Sequence, residues 1–144
     1  MNLHEYQAKT LLQKYGIPVP RGQVVTVAKS TAAAISEIAS EAWVGKAQIH
    51  AVGRGKAGGV KLVKSTTEAQ AVVSELLGKT LVTYQNAPDG QLVNQVLIEE
   101  TLPIARELYV SMLVDRTLER VVIIAASAGG MDIEEMAQKG REKN

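Results

Sequence analysis

The chain contains no cysteine, a single tryptophan and only two histidines among its 144 residues. Without thiols there are no disulfides, no cysteine nucleophile and no cysteine-ligated metal, and the composition suits a reducing compartment; cytoplasm or an equivalent matrix is the expectation. Two histidines without clustered ligand spacing do not build a metal site either. Aromatic residues make up 3% and the formal net charge is +1. There is thus no base-stacking platform and no general field for nucleic acid, so basic groups must be read locally. No apolar run approaches about 18 residues, and the start lacks a basic segment followed by an apolar one, so neither a membrane span nor a secretory signal is expected. Internal repeats and low-complexity stretches are also missing. What is present is a balance of 46% hydrophobic and 22% charged residues, enough for one ordinary domain with its own core.

The densest chemical signal runs from Trp43 to Lys61, where a strand bearing Lys46 leads into Gly53-Arg-Gly-Lys-Ala-Gly-Gly-Val60. Glycines let the backbone approach an anion closely and turn its N–H groups inward, while Lys46, Arg54 and Lys56 bring positive charge to the same place. The arrangement points to phosphates. Gly53, Gly55 and Gly58 satisfy G-x-G-x-x-G, but a dinucleotide fingerprint needs a helix after the glycines and an acidic residue about 20 positions on. Here the strand-like Val60-Lys-Leu-Val63 follows. No G-x-x-x-x-G-K-[ST] occurs, and the kinase catalytic and metal motifs are absent. What remains is strand, glycine flap, strand, able to close over a triphosphate. The same composition also suits a solvated hairpin that binds nothing, Lys46 a solvated strand lysine, and Glu99 and Glu107 edge-strand charges.

Along the chain, Asn2 and Glu5 give a capping-box-like start to a helix whose apolar stripe is Ala8, Leu11, Leu12 and Tyr15, ended by Gly16. Pro18 and Pro20 force an extended link, and residues 23–27 have strand composition. Ser30 opens a helix with Thr31, Ile35, Ile38 and Ala42 on one face, leading to a strand over 43–49. Ser65 and Glu68 form a capping box for a helix carrying Ala69, Val72, Val73, Leu76 and Leu77 and closed by Gly78. Strands are predicted over 81–84 and 93–99 around the turn-forming Pro88-Asp89-Gly90. After Pro103, residues 107–115 and 120–126 read as an antiparallel hairpin, followed by Gly129-Gly130, a short helix from Asp132 and a polar tail from Lys139. Together these predict an α+β fold, helices packed on a mixed, mainly antiparallel sheet. Three segments are expected: residues 1–20 as helix and link, 21–102 as a nucleotide-covering lobe, and 103–144 as the start of a second lobe.

Several motifs in order carry a family resemblance over nearly the whole chain, up to about Ala137. Asn2-Leu-His-Glu-Tyr-Gln-Ala-Lys9, the Lys46 strand, Gly53 to Val60, Gly78-Lys-Thr-Leu-Val-Thr-Tyr-Gln85 and Glu107-Leu-Tyr109 closely resemble the β subunit of succinyl-CoA synthetase. Malate–CoA ligase shares much of the pattern, including a stretch like Gly129 to Glu135. The resemblance implies the N-terminal portion of an ATP-grasp fold. It implies that Lys46 contacts nucleotide phosphates, that Gly53, Arg54 and Gly55 cover them, and that Glu99 is a hinge residue near adenine and ribose. Leu102 corresponds to a further nucleotide contact that is often threonine, so leucine offers only its backbone; Glu107 matches an acidic residue at the site. Cations neutralise phosphate and carboxylates accept bonds from ribose hydroxyls or an amine, which suits these roles.

The implied reaction is reversible acid–thiol ligation: ATP or GTP phosphorylates a histidine of a partner α subunit, the phosphate passes to succinate, and coenzyme A displaces it. Magnesium bridges the phosphates in such chemistry. Its ligands and the CoA-ligase domain are expected beyond this chain, which reads as a fragment or a truncated relative without turnover of its own. The other class left open is a non-catalytic nucleotide-binding or assembly module. His50 is expected to be a structural flap residue and His4 a helix-surface residue, because the phosphorylated histidine belongs to the α subunit. Three positions depart from the family: Gly45 replaces a β-branched residue, Val52 a glycine ahead of the flap, and Ala128 a glutamate. Val52 is expected to stiffen the flap, and Gly45 to weaken its strand.

Overall fold

The computed structural model describes residues 2–84, 88–127 and 129. Gln85, Ala128, Gly130, the helix expected from Asp132 and the polar tail lie outside the described residues. The chain divides into two compact units, Met1–Leu102 and Pro103–Asn144, each taken by itself below.

The first unit is built on a four-stranded antiparallel sheet. Its strands are β1 (Gly22–Val25), β2 (Trp43–Ala47), β3 (Val60–Val63) and, after two short strands, β6 (Val96–Glu100), ordered β1-β6-β2-β3. Strand β6 is central, pairing Glu99 with Gly22 on one side and with Val44 on the other. Val96, Leu97, Ile98 and Glu99 are accordingly all buried, and Glu99 is not an edge-strand charge. Strands β2 and β3 form a hairpin in which Lys46 opposes Val60, so the strand–flap–strand reading of 43–63 is the one observed. Residues 81–84 and 93–99 supply less strand than their composition predicts. The short pair is β4 (Thr80–Leu81) with β5 (Gln91–Leu92), antiparallel. Val93 instead donates its N–H to Lys79 O and its carbonyl accepts from Gly78.

Helix α1 (Glu5–Lys14) precedes β1, α2 (Thr31–Ser36) follows it, and α3 (Thr66–Leu76) follows β3. The core joins Val25, Ile35, Ile38, Val63, Ala69, Val73, Leu76 and Ile98, so α2 and α3 carry the apolar cover of the sheet. Ser65 caps α3 by accepting from Glu68 N–H at 3.2 Å, while the Glu68 carboxylate accepts from Lys64 N–H at 2.8 Å, one residue short of a reciprocal box. Gly78, at φ +78°, reverses the chain after α3. Gly45 does sit in a paired strand; the space over it is taken by Val72 of α3, whose Cγ1 lies 3.1 Å from where a Cβ would be.

Three local expectations need correction. Helix α1 starts at Glu5 with His4 at the N-cap, where Gln7 Oε1 accepts from His4 N–H at 2.9 Å; Asn2 precedes it and Glu5 faces other partners. The stripe of Ala8, Leu11, Leu12 and Tyr15 is not a core face, because α1 buries no residue and Tyr15 is 81% exposed. Ser30 stands at the N-cap of α2 as expected but makes no side-chain cap bond: it ends a 3-10 turn over Ala28–Ser30, has helical backbone angles and donates its hydroxyl to Val27 O. Helix α2 then stops at Ser36, so Ile38 is buried from the following loop and Ala42 lies beyond.

The second unit contains a two-stranded antiparallel hairpin of β7 (Tyr109–Asp115) and β8 (Arg120–Ala126), with Tyr109 opposite Ala126 and Asp115 opposite Arg120. Its turn is held by Asp115 Oδ1, which accepts from Thr117 N–H and Leu118 N–H, and by Glu119 at φ +50°. The predicted strand from Glu107 is two residues shorter, beginning at Tyr109.

Candidate functional site

Antiparallel pairing of β2 with β6 and β3 places Lys46 between Leu97 and Val60, one residue before β2 ends and the chain runs on to the glycine-rich turn from Gly53. The turn is compact. Ala57 N–H donates to Gly53 O, Gly58 N–H to Gly55 O and Gly59 N–H to Arg54 O, and Ala47 N–H closes the base on Gly59 O at 2.7 Å. Gly53 has φ +81°, and a Cβ there would come within 2.5 Å of the Tyr84 ring. This position needs glycine both for its backbone and for the ring laid across it. Arg54 folds back so that Nη1 donates to Ala47 O at 2.7 Å, which puts its charge beside the end of β2.

Five charged side chains then meet. Lys46 Nζ donates to Glu99 Oε2 and, at 3.0 Å, to Glu5 Oε1; Lys9 Nζ donates to Glu99 Oε1 and, at 2.8 Å, to Glu5 Oε1; Arg54 Nη2 donates to Glu5 Oε2 at 2.7 Å. Three cations and two carboxylates share one cluster, with the Glu99 side chain 3% exposed. An anion buried that deeply requires charged partners, and Lys46 and Lys9 supply them. Burial pushes the Glu5 carboxyl up, but bonds from Lys9, the charge of Lys46 and bonds from Arg54 outweigh it and hold it down at about 2. Burial likewise works against the charge of Lys46, and the bond to Glu99 together with the Glu5 charge overcomes it and raises its pKa.

Helix α1 reaches the cluster through a polar face. Tyr6 N–H donates to Gln48 Oε1 at 3.3 Å, and Gln48, itself 2% exposed, donates Nε2–H to Lys46 O. His4 is not a helix-surface residue; its ring stacks on His50 with centroids 3.9 Å apart, tying the start of α1 to the loop ahead of the flap. Two cavities flank the cluster. One of about 460 Å³ is lined by Lys9, Glu99, Pro20, Val24, Ile38 and others; one of about 420 Å³ is lined by Glu5, Arg54, His50, Val52 and others.

Of the residues singled out from sequence, Lys46, Arg54 and Glu99 come together, with Gly53 and Gly55 forming the turn that carries Arg54. Leu102 lies two residues past β6 and is half exposed, outside the cluster. Glu107 belongs to the second unit, where its carbonyl accepts from Gly129 N–H. Sequence reasoning missed Glu5 and Lys9. Their i,i+4 spacing marks only an acid–base pair on a helix surface, so no sequence signal tied them to the cluster. Among the described residues no group of three or more His, Cys, Asp or Glu could hold a metal, and Glu5 and Glu99 are committed to cations. These residues therefore do not make a magnesium site of their own. No helix among them is long and apolar enough to cross a membrane.

A family model described as ATP-grasp domain matches residues 2–143. The chain is 65% identical over 143 residues to the succinate–CoA ligase (ADP-forming) subunit beta of Methylobacillus flagellatus, and 61% identical over 143 residues to the protein of the same description from Thiobacillus denitrificans. In both cases the match covers 99% of this chain and 37% of the relative, so the chain spans little more than a third of their length. Among solved structures, the dinucleotide-forming acetyl-coenzyme A synthetase 1 of Ca. Korarchaeum cryptofilum, in complex with coenzyme A, acetyl-coenzyme A and a phosphorylated phosphohistidine segment, superposes with a TM-score of 0.65 at 24% identity. That match covers 89% of this chain and 53% of the other, and establishes a common fold.

Proposed function

Because the chain belongs to the ATP-grasp family, we propose that Lys46, the Gly53-Arg54-Gly55 turn and Glu99 form a nucleotide site, and that the chain is the N-terminal nucleotide-binding part of a succinate–CoA ligase β subunit. The observation that carries this reading is the convergence of Lys46 and Arg54 beside a glycine turn, next to the buried carboxylate of Glu99. Two adjacent cations suit phosphate, and the neighbouring carboxylate can accept from ribose hydroxyls or an amine. The turn's backbone N–H groups and the dry sheet around Glu99 strengthen such bonds. The description of both relatives as ADP-forming supports ATP over GTP, and their name supports succinate over malate as the acid.

In this reading the complete enzyme is a heteromer of cytoplasm serving the tricarboxylic acid cycle. Nucleoside triphosphate phosphorylates a histidine on the α subunit, that phosphate passes to succinate, and the thiol of coenzyme A displaces it to give succinyl-CoA and inorganic phosphate. Magnesium bound to the triphosphate would supply charge neutralisation, held by ligands other than the residues of this cluster. This chain's part is to bind and orient the nucleotide. Leu102 adds a further proposed contact through its backbone. Calorimetric titration with Mg·ATP tests the reading. Saturable binding is expected in the unaltered chain, with Lys46→Ala raising Kd at least about tenfold. Equal saturable binding by both would overturn it.

A further inference from the structure

We propose that Glu5 is an internal stand-in for a phosphate: its carboxylate takes the bridging position between Lys46 and Arg54, and nucleotide binding exchanges that carboxylate for a phosphate group. The proposal rests on the reading of this cluster as a nucleotide site.

The geometry is that of an anion clamp already filled. Glu5 Oε1 accepts from Lys46 at 3.0 Å and from Lys9 at 2.8 Å, while Oε2 accepts from Arg54 at 2.7 Å. Two anionic oxygens on one atom, each facing a different cation, is also what a phosphate presents to a lysine and an arginine. The cations do not depend on Glu5 for their placement. Arg54 keeps its bond to Ala47 O, and Lys46 keeps Glu99. With Glu5 gone the clamp would remain set with its positive charge uncompensated.

Retaining the carboxylate beside an incoming phosphate is unfavourable, because like charges at such separations oppose each other strongly in a poorly solvated site. Withdrawing it is comparatively easy. Glu5 lies in the first turn of a helix that buries no residue, joined to the sheet through polar contacts such as Tyr6 N–H to Gln48. Its movement gives up little apolar burial. The carboxylate also stands between the two cavities, lining the one with Arg54 while bonded to Lys9 of the other.

The alternative is that Glu5 stays in place and holds Lys46 and Arg54 for the nucleotide. The two predict opposite signs. Titrating the unaltered chain, Glu5→Gln and Lys46→Ala with Mg·ATP by calorimetry, exchange predicts that Glu5→Gln lowers Kd about three- to thirtyfold. Binding by Glu5→Gln alone supports it equally. Unchanged or weaker binding by Glu5→Gln, with the unaltered chain binding and Lys46→Ala not, overturns exchange and leaves the nucleotide site standing. Binding by neither the unaltered chain nor Glu5→Gln overturns the nucleotide reading and exchange with it. Should Glu5→Gln not fold, hydrogen exchange of the unaltered chain decides. Amides of residues 5–9 should exchange faster when Mg·ATP is added, and slower exchange there contradicts the proposal.

Discussion

At the scale of single residues, Glu5 makes the strongest claim on the chemistry of the site. Its folded pKa of about 2 lies below the ordinary 4.5, so its contribution to stability is complete above about pH 4.5 and is lost as the pH falls toward 2. The shift corresponds to on the order of 3 kcal/mol. Acid denaturation should therefore show a loss of stability across that window, much reduced in Glu5→Gln; identical acid profiles would contradict the ion cluster. Lys46 acts with the opposite sign. Its raised pKa makes its contribution complete below 10.5 and lost only as the pH rises through the higher folded value. Gly53 and Gly58 separate backbone strain from contact. Both have positive φ, but a Cβ at Gly53 meets the Tyr84 ring whereas one at Gly58 meets nothing within 4 Å. Gly58→Ala should cost about 1 kcal/mol and Gly53→Ala distinctly more, measured by denaturant unfolding; equal costs would mean that Tyr84 does not rest on the flap. Lys46 and Arg54 were legible because glycines and cations crowd one short segment. Glu5 and Lys9 were not, since a helix carrying one acid–base pair reads as a solvated surface until the sheet is seen to pass beneath it.

At the scale of elements, the sequence was most readable where capping chemistry and apolar spacing agree. Helix α3 has both: Ser65 at the N-cap and Ala69, Val73 and Leu76 buried on one face. Ser65→Ala should cost about 1 kcal/mol in unfolding free energy; no measurable loss would show that the hydroxyl's bond to Glu68 N–H carries nothing. The β7–β8 hairpin was equally plain, because two runs of β-branched and apolar residues flank a polar turn. Strands β4 and β6 were overestimated for a physical reason. Residues 81–84 and 93–95 have strand composition, yet the carbonyl of Val93 receives Gly78 and its N–H goes to Lys79, so the chain spends its hydrogen bonds on the end of α3. Helix α1 was placed but misread. Its apolar stripe suggested a core face, whereas its attachment is made by charge, by Gln48 and by the His4–His50 stack.

At the scale of the whole molecule, the α+β class and the antiparallel sheet followed from alternating patterns and hairpin spacing. The order β1-β6-β2-β3 did not. It depends on β6 inserting between β1 and β2 from far along the chain, a long-range pairing that local patterns do not encode. That insertion is what buries Glu99 and brings it to Lys46. The sheet thus converts two distant residues into one site, and α1 adds the charges that complete it. The measurement that tests this account most directly is an amide NMR titration of the chain with Mg·ATP. The account predicts chemical-shift changes concentrated at Lys46, at residues 53–55, at Glu99 and at the start of α1, and abolished by Lys46→Ala. Changes confined to other parts of the sheet, or changes that survive Lys46→Ala, would contradict it.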